Sequence, residues 1–414
     1  MADKFIIILV IVLGCIAIAQ IMRVGELTKK LSNYGPEEIP DSENNFNAIA
    51  LVVFMILLHA FLIYIIFVYG FVDLGPAASV GGVKLDNLYV VQWGLVLFVY
   101  FSTVTLLFWF AYKYRRKPGV KAYYYPHNDK LEMLWTVIPA AGLTVMVILG
   151  LKTWNELTSP ATAEYENVEI FSYQFAWTAR YSGGNNELGK FDYKLTTDQN
   201  PYAVVTRENI ENSLELMKVG GDGINGVEKL EAQLNDPSIA MSAANRKKMK
   251  TELGRKERMS RLLEAMSATY NDSLDLLAFD DVIVEDSLIL LKGQKYNFHF
   301  RSKDVIHSAY FPHFRAQMNT VPGLTTYFKI QPIFTSDEMK KKLNNPEFEY
   351  ALLCNKVCGT SHYKMKMSIK VLEPKEYLEW QKTKSSLDGK PWIVGNEQAL
   401  LEYYEAIASK VDKK

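Results

Sequence analysis

Cysteine is scarce in this chain of 414 residues. Its scarcity excludes a fold stabilised by several disulfides and a protein with its own covalent c-type haem. Only three cysteines are present, and Cys15 lies inside a long apolar run, so a disulfide framework cannot stabilise the fold. No C-x-x-C-H string occurs, so the chain carries no covalent c-type haem of its own. The 46 Lys and Arg residues balance the 46 Asp and Glu residues, so net charge does not indicate a nucleic-acid partner.

Long apolar runs are confined to the first part of the chain, whereas the rest is charged. A membrane-spanning helix needs about 20 mostly apolar residues, and four runs are long enough or nearly so. These runs are Phe5–Met22, Ala48–Val72, Leu88–Ala111 and Leu131–Leu151. Aromatic residues flank the third and fourth runs, as is usual at the headgroup level of a bilayer. We therefore predict a transmembrane region over residues 1–157.

The basic residues between the runs predict how the helices are oriented. The loop after the third run is rich in Lys and Arg, whereas the loop after the second run contains only Lys84. Basic loops remain on the cytoplasmic side. The fourth helix should therefore run outward, and the chain after about Leu157 should be exported.

The first apolar run has two interpretations. It could be a cleaved signal sequence, because residues 12–15 loosely resemble a lipoprotein cleavage site that ends at Cys15. The run continues past Cys15, however, which favours a helix that is retained.

The exported part, residues 158–385, alternates at β spacing, with glycine and proline between short segments. Residues 207–278 differ, because Ser242–Tyr270 has an apolar stripe at helical spacing and no proline. We predict a helical insertion there and a helical tail over residues 386–414. The predicted strands are Val168–Tyr173, Phe175–Arg180, Val282–Val284, Ser287–Leu290, Tyr296–Arg301, Leu324–Ile330 and Met367–Leu372.

The most informative motif has the pattern C-x3-C-x3-H-x2-M. It places Cys354, Cys358, His362 and Met365 within twelve residues. Sulfur and imidazole ligands together select copper over hard cations, and zinc sites rarely include a thioether. Two other interpretations exist: the cysteines could form a disulfide in an oxidising compartment, and the methionine could belong to the core of a strand. The histidine and methionine at these offsets favour a copper site for electron transfer.

The string CNKVCGTSHYKM resembles the dinuclear copper loop of cytochrome c oxidase subunit II. The family also has a histidine in a D-V-x-H-S string, which here ends in His307-Ser308. Further strings in the family's order are Tyr173–Trp177 and the segment from His127 to Pro139. The resemblance covers roughly residues 88–182 and 280–385. It implies a cupredoxin-like Greek-key β-barrel on the exported side, so the fold class is α+β with N-terminal transmembrane helices.

The resemblance also implies the ligands of two copper ions. Cys354 and Cys358 would bridge the ions, His307 and His362 would bind one each, and Met365 would be a weak axial ligand. The backbone carbonyl of Lys356 would complete the site. Where Lys356 stands, the family usually has a glutamate that helps to hold magnesium, so a magnesium ion at the border with subunit I is doubtful.

The implied function is electron input to a respiratory haem–copper oxidase, in which subunit I reduces oxygen and pumps protons. The donor would be cytochrome c or a c-type haem domain, and subunits I and III, with membrane lipid, would be the partners. The copper domain would lie on the periplasmic side of a bacterial inner membrane. Phe175, in place of the family's usual tryptophan, and Trp177 would mark where electrons arrive. Glu132 would lie at the mouth of a proton-uptake path.

Three alternatives remain. A copper-binding assembly or storage protein would need the ligands but not the L-E-x-x-W-T string around Glu132. A quinol oxidase subunit II would lack the copper ligands. Nitrous oxide reductase would add a large propeller domain, for which the chain has no corresponding segment.

Overall fold

The computed structural model describes residues 2–31, 40–70, 75–221, 223–393 and 395–412, except for the side chains of residues 2–12 and 29–31. It divides into two compact units. Residues 1–73 and 92–142 form the first unit, and residues 74–91 and 143–414 form the second.

Four helices precede the β domain: α1 (Ala2–Leu31), α2 (Asp41–Tyr69), α3 (Val80–Lys113) and α4 (Asp129–Thr158). Within the described residues, α2, α3 and α4 are long and apolar enough to cross a membrane, and their apolar windows are not buried. The predicted span Phe5–Met22 lies in α1, partly on residues whose side chains are not described, and the end of the second span, residues 71–72, lies outside the described residues. Three membrane-length helices followed by a β domain fit a membrane protein.

Within the first unit, side chains join α2 to α3. The ring of His59 on α2 lies 3.3 Å from the hydroxyl of Thr105 on α3 (Nε2 to Oγ1) and donates through Nδ1 to the backbone carbonyl of Met55 at 2.7 Å. Near the helix ends, Arg115 donates to Asn45. An imidazole among apolar side chains is satisfied here by polar contacts between the helices.

The second unit is built on two five-stranded sheets. The first sheet has the order β10-β7-β1-β2-β5 and the second has the order β6-β12-β11-β8-β9. The strands are β1 (Glu166–Tyr173), β2 (Ala176–Tyr181), β3 (Gly220–Gly221), β4 (Ile224–Asn225), β5 (Val282–Val284), β6 (Ser287–Leu291), β7 (Tyr296–Ser302), β8 (His307–Phe311), β9 (Ala316–Thr320), β10 (Thr326–Ile330), β11 (Tyr350–Cys354) and β12 (Lys366–Leu372).

The core lies between the two sheets because alternate residues of each strand point to one face. Val168 and Ile170 of β1 and Trp177 of β2 meet Leu352 of β11 and Met367 of β12 there. Parallel pairing of β1 with β7 and of β6 with β12 joins segments that are far apart in sequence. Membrane helices followed by this sheet domain confirm the predicted fold class.

The outer face of the first sheet contains a buried cluster of charges. Arg180 donates to Glu169 at 2.7 Å (Nη2 to Oε2) and to Asp281 at 2.6 Å (Nη1 to Oδ2), and Arg301 contacts the same carboxylate of Glu169. Burial lowers the pKa of Arg180, and burial raises the pKa of Asp281 to about 6. Two cations and two anions therefore occupy this space together.

A mostly helical segment lies between β2 and β5. Its helices are α5 (Arg207–Lys218), α6 (Val227–Asn235), α7 (Ala243–Thr269) and the short α8 (Leu276–Phe279). Thr206 and Ser242 cap α5 and α7 by accepting from the backbone N–H groups of Asn209 and Asn245. A small core of its own, around Ile210 and Leu263, holds the insertion together.

The last helices are α9 (Ser336–Leu343), α10 (Pro374–Lys382) and α11 (Glu397–Asp412), and α11 occupies only part of the tail predicted over residues 386–414. Tyr404 of α11 packs on Tyr377 of α10 and donates to Gln381 at 2.9 Å. The nearly buried ammonium group of Lys292 lies 2.8 Å from Glu338 and from Asp412. The tail is therefore attached to the β domain by aromatic packing and by ion pairs.

Candidate metal centre

Two neighbouring strands bring the predicted ligands together. His307 begins β8 and Cys354 ends β11, and these strands pair so that Cys354 lies opposite Ala309. The N–H of Cys354 donates to the carbonyl of Met365 at 3.1 Å, which closes the loop that carries Cys358 and His362. Backbone pairing therefore fixes both ends of the ligand loop before any metal binds.

The sulfur and nitrogen atoms of the five predicted side-chain ligands lie close together. The Sγ atoms of Cys354 and Cys358 are 3.9 Å apart, and both cysteines are free. The Nδ1 atom of His307 lies 3.9 Å from Cys354 Sγ, and the Nδ1 atom of His362 lies 3.6 Å from Cys358 Sγ. The Sδ atom of Met365 lies 3.8 Å from Cys358 Sγ. The His307 imidazole thus faces the Cys354 thiol, whereas the His362 imidazole and the Met365 thioether both face the Cys358 thiol.

These separations match ligands that share metal ions. Sulfur ligands lie about 2.3 Å from an ion such as zinc, so two of them around one tetrahedral ion are about 3.8 Å apart. The carbonyl oxygen of Lys356 also faces this space, 3.2 Å from Cys354 Sγ, while the Lys356 side chain is exposed. The donor set of soft sulfur, imidazole and one carbonyl fits copper. The ammonium group of Lys356 does not fit magnesium, because it has no lone pair to donate.

Asp304 orients His307 from the side opposite the thiols. Its carboxylate lies 2.8 Å from His307 Nε2, which leaves Nδ1 directed at Cys354. Burial acts to raise the pKa of Asp304, but hydrogen bonds from His307 and from the backbone N–H groups of Gln174 and Val305 outweigh it and lower this pKa. The carboxylate therefore remains charged and fixes the tautomer of the ligand.

The Cys358 thiol is held in its protonated form in the absence of a metal ion. Burial, followed by the neighbouring Cys354, raises the pKa of Cys358 to about 11. Because metals bind the thiolate, metal binding must release this proton, and the affinity should rise with pH.

The two aromatic residues predicted at the point of electron arrival lie close to the ligand residues. The Trp177 ring is buried and its centroid lies 6.1 Å from that of His307. Phe175 is half-buried against Gly359, where an added Cβ atom would lie 2.9 Å from the Phe175 ring. Gly359 also has a φ of +145°, so a side chain is disfavoured at this position. Gln174 donates through Nε2 to the carbonyl of Cys358.

Glu132 lies apart from the metal ligands in sequence, in the first turn of α4. Its carboxylate accepts from the backbone N–H of Asn128 at 3.5 Å, while the Asn128 side chain accepts from Leu131 at 3.0 Å. These contacts cap the N-terminus of α4, and the Glu132 side chain remains exposed. The proton-uptake role of Glu132 stays a prediction.

Sequence reasoning gave no role to Gln174, to Asp304 or to Gly359. Asp304 belongs to the same D-V-x-H-S string as His307. Its position three residues before this predicted ligand could have indicated that it contacts the imidazole. Gln174 belongs to the string Tyr173–Trp177, but its contact with Cys358 could not be predicted, because it joins positions 184 residues apart.

Replacing Asp304 with asparagine is expected to lower the copper affinity of the assembled protein by about 10–100-fold. Asparagine keeps an acceptor near His307 but removes the charge that favours the correct tautomer. Competition with a chelator would measure the affinity, and circular dichroism would monitor the fold. Asp337→Asn, at an exposed carboxylate of α9, is the matched control. Equal copper retention in the two variants would contradict the role of Asp304.

Known proteins similar to this chain are oxidase subunits, although no model of a protein family matches it. The alternative cytochrome c oxidase subunit 2 of Bradyrhizobium diazoefficiens is 26% identical over 77% of this chain and 87% of the relative. Cytochrome c oxidase subunit 2 of Mycobacterium bovis is 20% identical over 73% of this chain and 68% of the relative. Among solved structures, the periplasmic domain of subunit II of the cytochrome oxidase of Bradyrhizobium japonicum covers 53% of this chain and 92% of its own length, at 14% identity and a TM-score of 0.25.

Proposed function

Because the chain is a relative of subunit II of the cytochrome c oxidases, we propose that it is the electron-input subunit of a haem–copper oxidase. In this role it accepts single electrons from cytochrome c or from a c-type haem domain and passes them to haem in subunit I. Oxygen is reduced to water there, with coupled proton pumping. The observation that carries the proposal is the convergence of two thiols, two imidazoles and one thioether, with neighbouring ligand atoms 3.6–3.9 Å apart.

Two copper ions, when bound, would supply a one-electron redox centre in which charge is shared between two metals. Cys354 and Cys358 would bridge them as thiolates, His307 and His362 would bind one ion each, and the weak ligands would be Met365 and the Lys356 carbonyl. These residues would hold the ions for electron transfer, and we assign the oxygen chemistry to subunit I.

The chain's own residues would keep the site rigid during electron transfer. Both ends of the ligand loop are held by backbone hydrogen bonds, Asn355 to Ser308 at 3.0 Å and Cys354 to Met365 at 3.1 Å. Gln174 holds the backbone carbonyl of Cys358, and Asp304 holds the imidazole of His307. A site whose ligands do not move needs little reorganisation when its charge changes, which favours fast electron transfer.

We assign the remaining predicted residues by position. Phe175, half-buried against Gly359, would be the point at which electrons arrive, and Trp177 would pack against His307. Lys356 offers a positive charge where the family has a magnesium ligand, so no magnesium ion is proposed at this position. Glu132 would begin the proton-uptake path, and the copper domain would face the periplasm of a bacterium.

The decisive test of this function is the copper content of the purified full-length protein. We expect two copper ions per chain and an electron spin resonance spectrum in which one unpaired electron is shared by both ions. One copper ion per chain, without the shared-electron spectrum, would instead support a copper assembly or storage protein. The absence of bound copper in a well-folded preparation would refute both functions.

A further inference from the structure

A cavity of about 410 Å³ lies where the helical tail meets the β domain, and we call it the tail cavity. Its walls come from the start of β1, the turn after β2, and helices α10 and α11, all within the second compact unit. A volume of this size lies in the range of small-molecule sites. The lining residues that matter most for its chemistry are Glu164, Glu166, Trp392, Tyr403 and Tyr404.

Aromatic rings form part of the wall of the tail cavity. The Trp392 ring centroid lies 5.2 Å from that of Tyr181, and the Tyr403 centroid lies 5.8 Å from that of Tyr404. The hydrogen bond from Tyr404 to Gln381 holds this second pair in place. Tyr403 is 57% exposed, so core packing does not account for its ring in the wall. The faces of such rings attract ammonium groups through cation–π interactions.

Glu166 places a carboxyl group without a cationic partner at the tail cavity. The Tyr377 hydroxyl donates to Glu166 Oε1 at the long distance of 3.5 Å, and no ion pair joins Glu166 to a basic side chain in the part of the chain that the structure describes. Glu164, two residues earlier, is already paired with Lys295 at 2.7 Å. Burial raises the pKa of Glu166 to about 7, against the hydrogen bond from Tyr377. A cation bound in the cavity would favour the charged form of this carboxyl group.

The chemistry of the lining excludes other classes of ligand. No lysine or arginine is among the described residues that line the tail cavity, so a phosphate or carboxylate ligand would meet acidic groups without a basic partner. Calcium and magnesium ions require about six or more oxygen ligands in a close shell, which a wide cavity with aromatic walls does not provide. A carboxylate beside aromatic rings suits an organic cation.

We propose that the tail cavity binds a small organic ammonium compound. The carboxylate of Glu166 balances the charge of the ammonium group, and the rings of Trp392 and Tyr403 contact its alkyl groups. This site goes beyond the electron-input function and does not require copper. A free ammonium compound fits better than the headgroup of phosphatidylcholine, because the lining offers no basic side chain to its phosphate.

Titration calorimetry of the purified full-length protein with choline, in an uncharged detergent, tests this proposal. Choline should bind with a Kd of about 1 mM or tighter, and the neutral carbon isostere of choline should bind at least about tenfold more weakly. Glycerophosphocholine, which adds the phosphate of a lipid headgroup, should also bind more weakly than choline. An absence of choline binding, or equal binding of the isostere, would overturn the proposal. Tighter binding of glycerophosphocholine would overturn the assignment to a free ammonium compound.

Substitutions locate the binding in the tail cavity. Glu166→Gln should weaken choline binding by about tenfold, because it removes the opposing charge and keeps the size of the side chain. Tyr403→Ala changes an exposed ring, so it tests the site without disturbing the core, and it should weaken binding by about threefold. Glu405→Gln and Tyr193→Ala, at exposed residues outside the cavity, are the matched controls and should bind choline normally. Unchanged affinity in either cavity variant, with its fold confirmed by circular dichroism, would overturn the proposal.

Discussion

Replacing Cys358 with serine is expected to abolish the dinuclear copper signal and oxidase activity with cytochrome c. Cys358 Sγ lies within 3.9 Å of the Cys354, His362 and Met365 ligand atoms, so it is central to the set. A serine hydroxyl is a harder ligand that remains protonated at neutral pH, and it cannot bridge two copper ions in place of a thiolate. Metal analysis and electron spin resonance of the full-length protein would measure the loss.

The chain provides its own control for this substitution. Cys15 is exposed on α1 and has no predicted ligand role, so Cys15→Ser should retain two copper ions and full activity. Circular dichroism should show the same β content in both variants, because Cys358 lies in a loop and not in a strand. A shared-electron spectrum that persists in Cys358→Ser would refute the ligand assignment.

Replacing Arg180 with methionine is expected to lower the thermal midpoint of the full-length protein by about 10 °C. Arg180 is 2% exposed, and its loss leaves Asp281, which is fully buried, without its cation. Removing one partner of a buried ion pair costs about 3–5 kcal/mol, and each 1 kcal/mol corresponds to about 2–4 °C in a domain of this size. Differential scanning calorimetry in detergent would measure the shift.

A second substitution should partly reverse this loss. In Arg180→Met/Asp281→Asn, both members of one pair are neutral, and Arg301 still compensates Glu169. The double variant should therefore be more stable than Arg180→Met, and Arg255→Met, on the exposed surface of α7, should match the unmodified protein. A double variant that is less stable than the single one would contradict charge imbalance as the cause.

The cluster of sulfur and imidazole side chains was easier to recognise in the sequence than the strands that carry it. The motif around Cys354 and Cys358 was recognisable because its side chains are close in sequence and chemically unusual. The strands β8, β9 and β11 were not predicted, although His307 and Cys354 belong to two of them. These strands are stabilised by pairing with segments that are distant in sequence. The residues of a short strand alone therefore give little indication that the strand forms.

The burial of charged residues in the first sheet could not be predicted from the sequence either. Glu169, Arg180 and Arg301 alternate with apolar residues in predicted strands, a pattern that is typical of a sheet face exposed to water. The structure instead covers this face, and each charge is compensated by a residue from another segment. Strand periodicity gives the face on which a side chain lies but not what covers that face.

The amino-acid sequence by itself determined the membrane-length helices, the copper-type donor set and the helical insertion, because each depends on residue types at short and regular spacing. Only the tertiary structure decided which atom of His307 faces the thiols and which residues fix the ligand loop. Those properties depend on contacts such as Gln174 with Cys358 and Asp304 with Gln174. Such contacts exist only after chain segments far apart in sequence have paired.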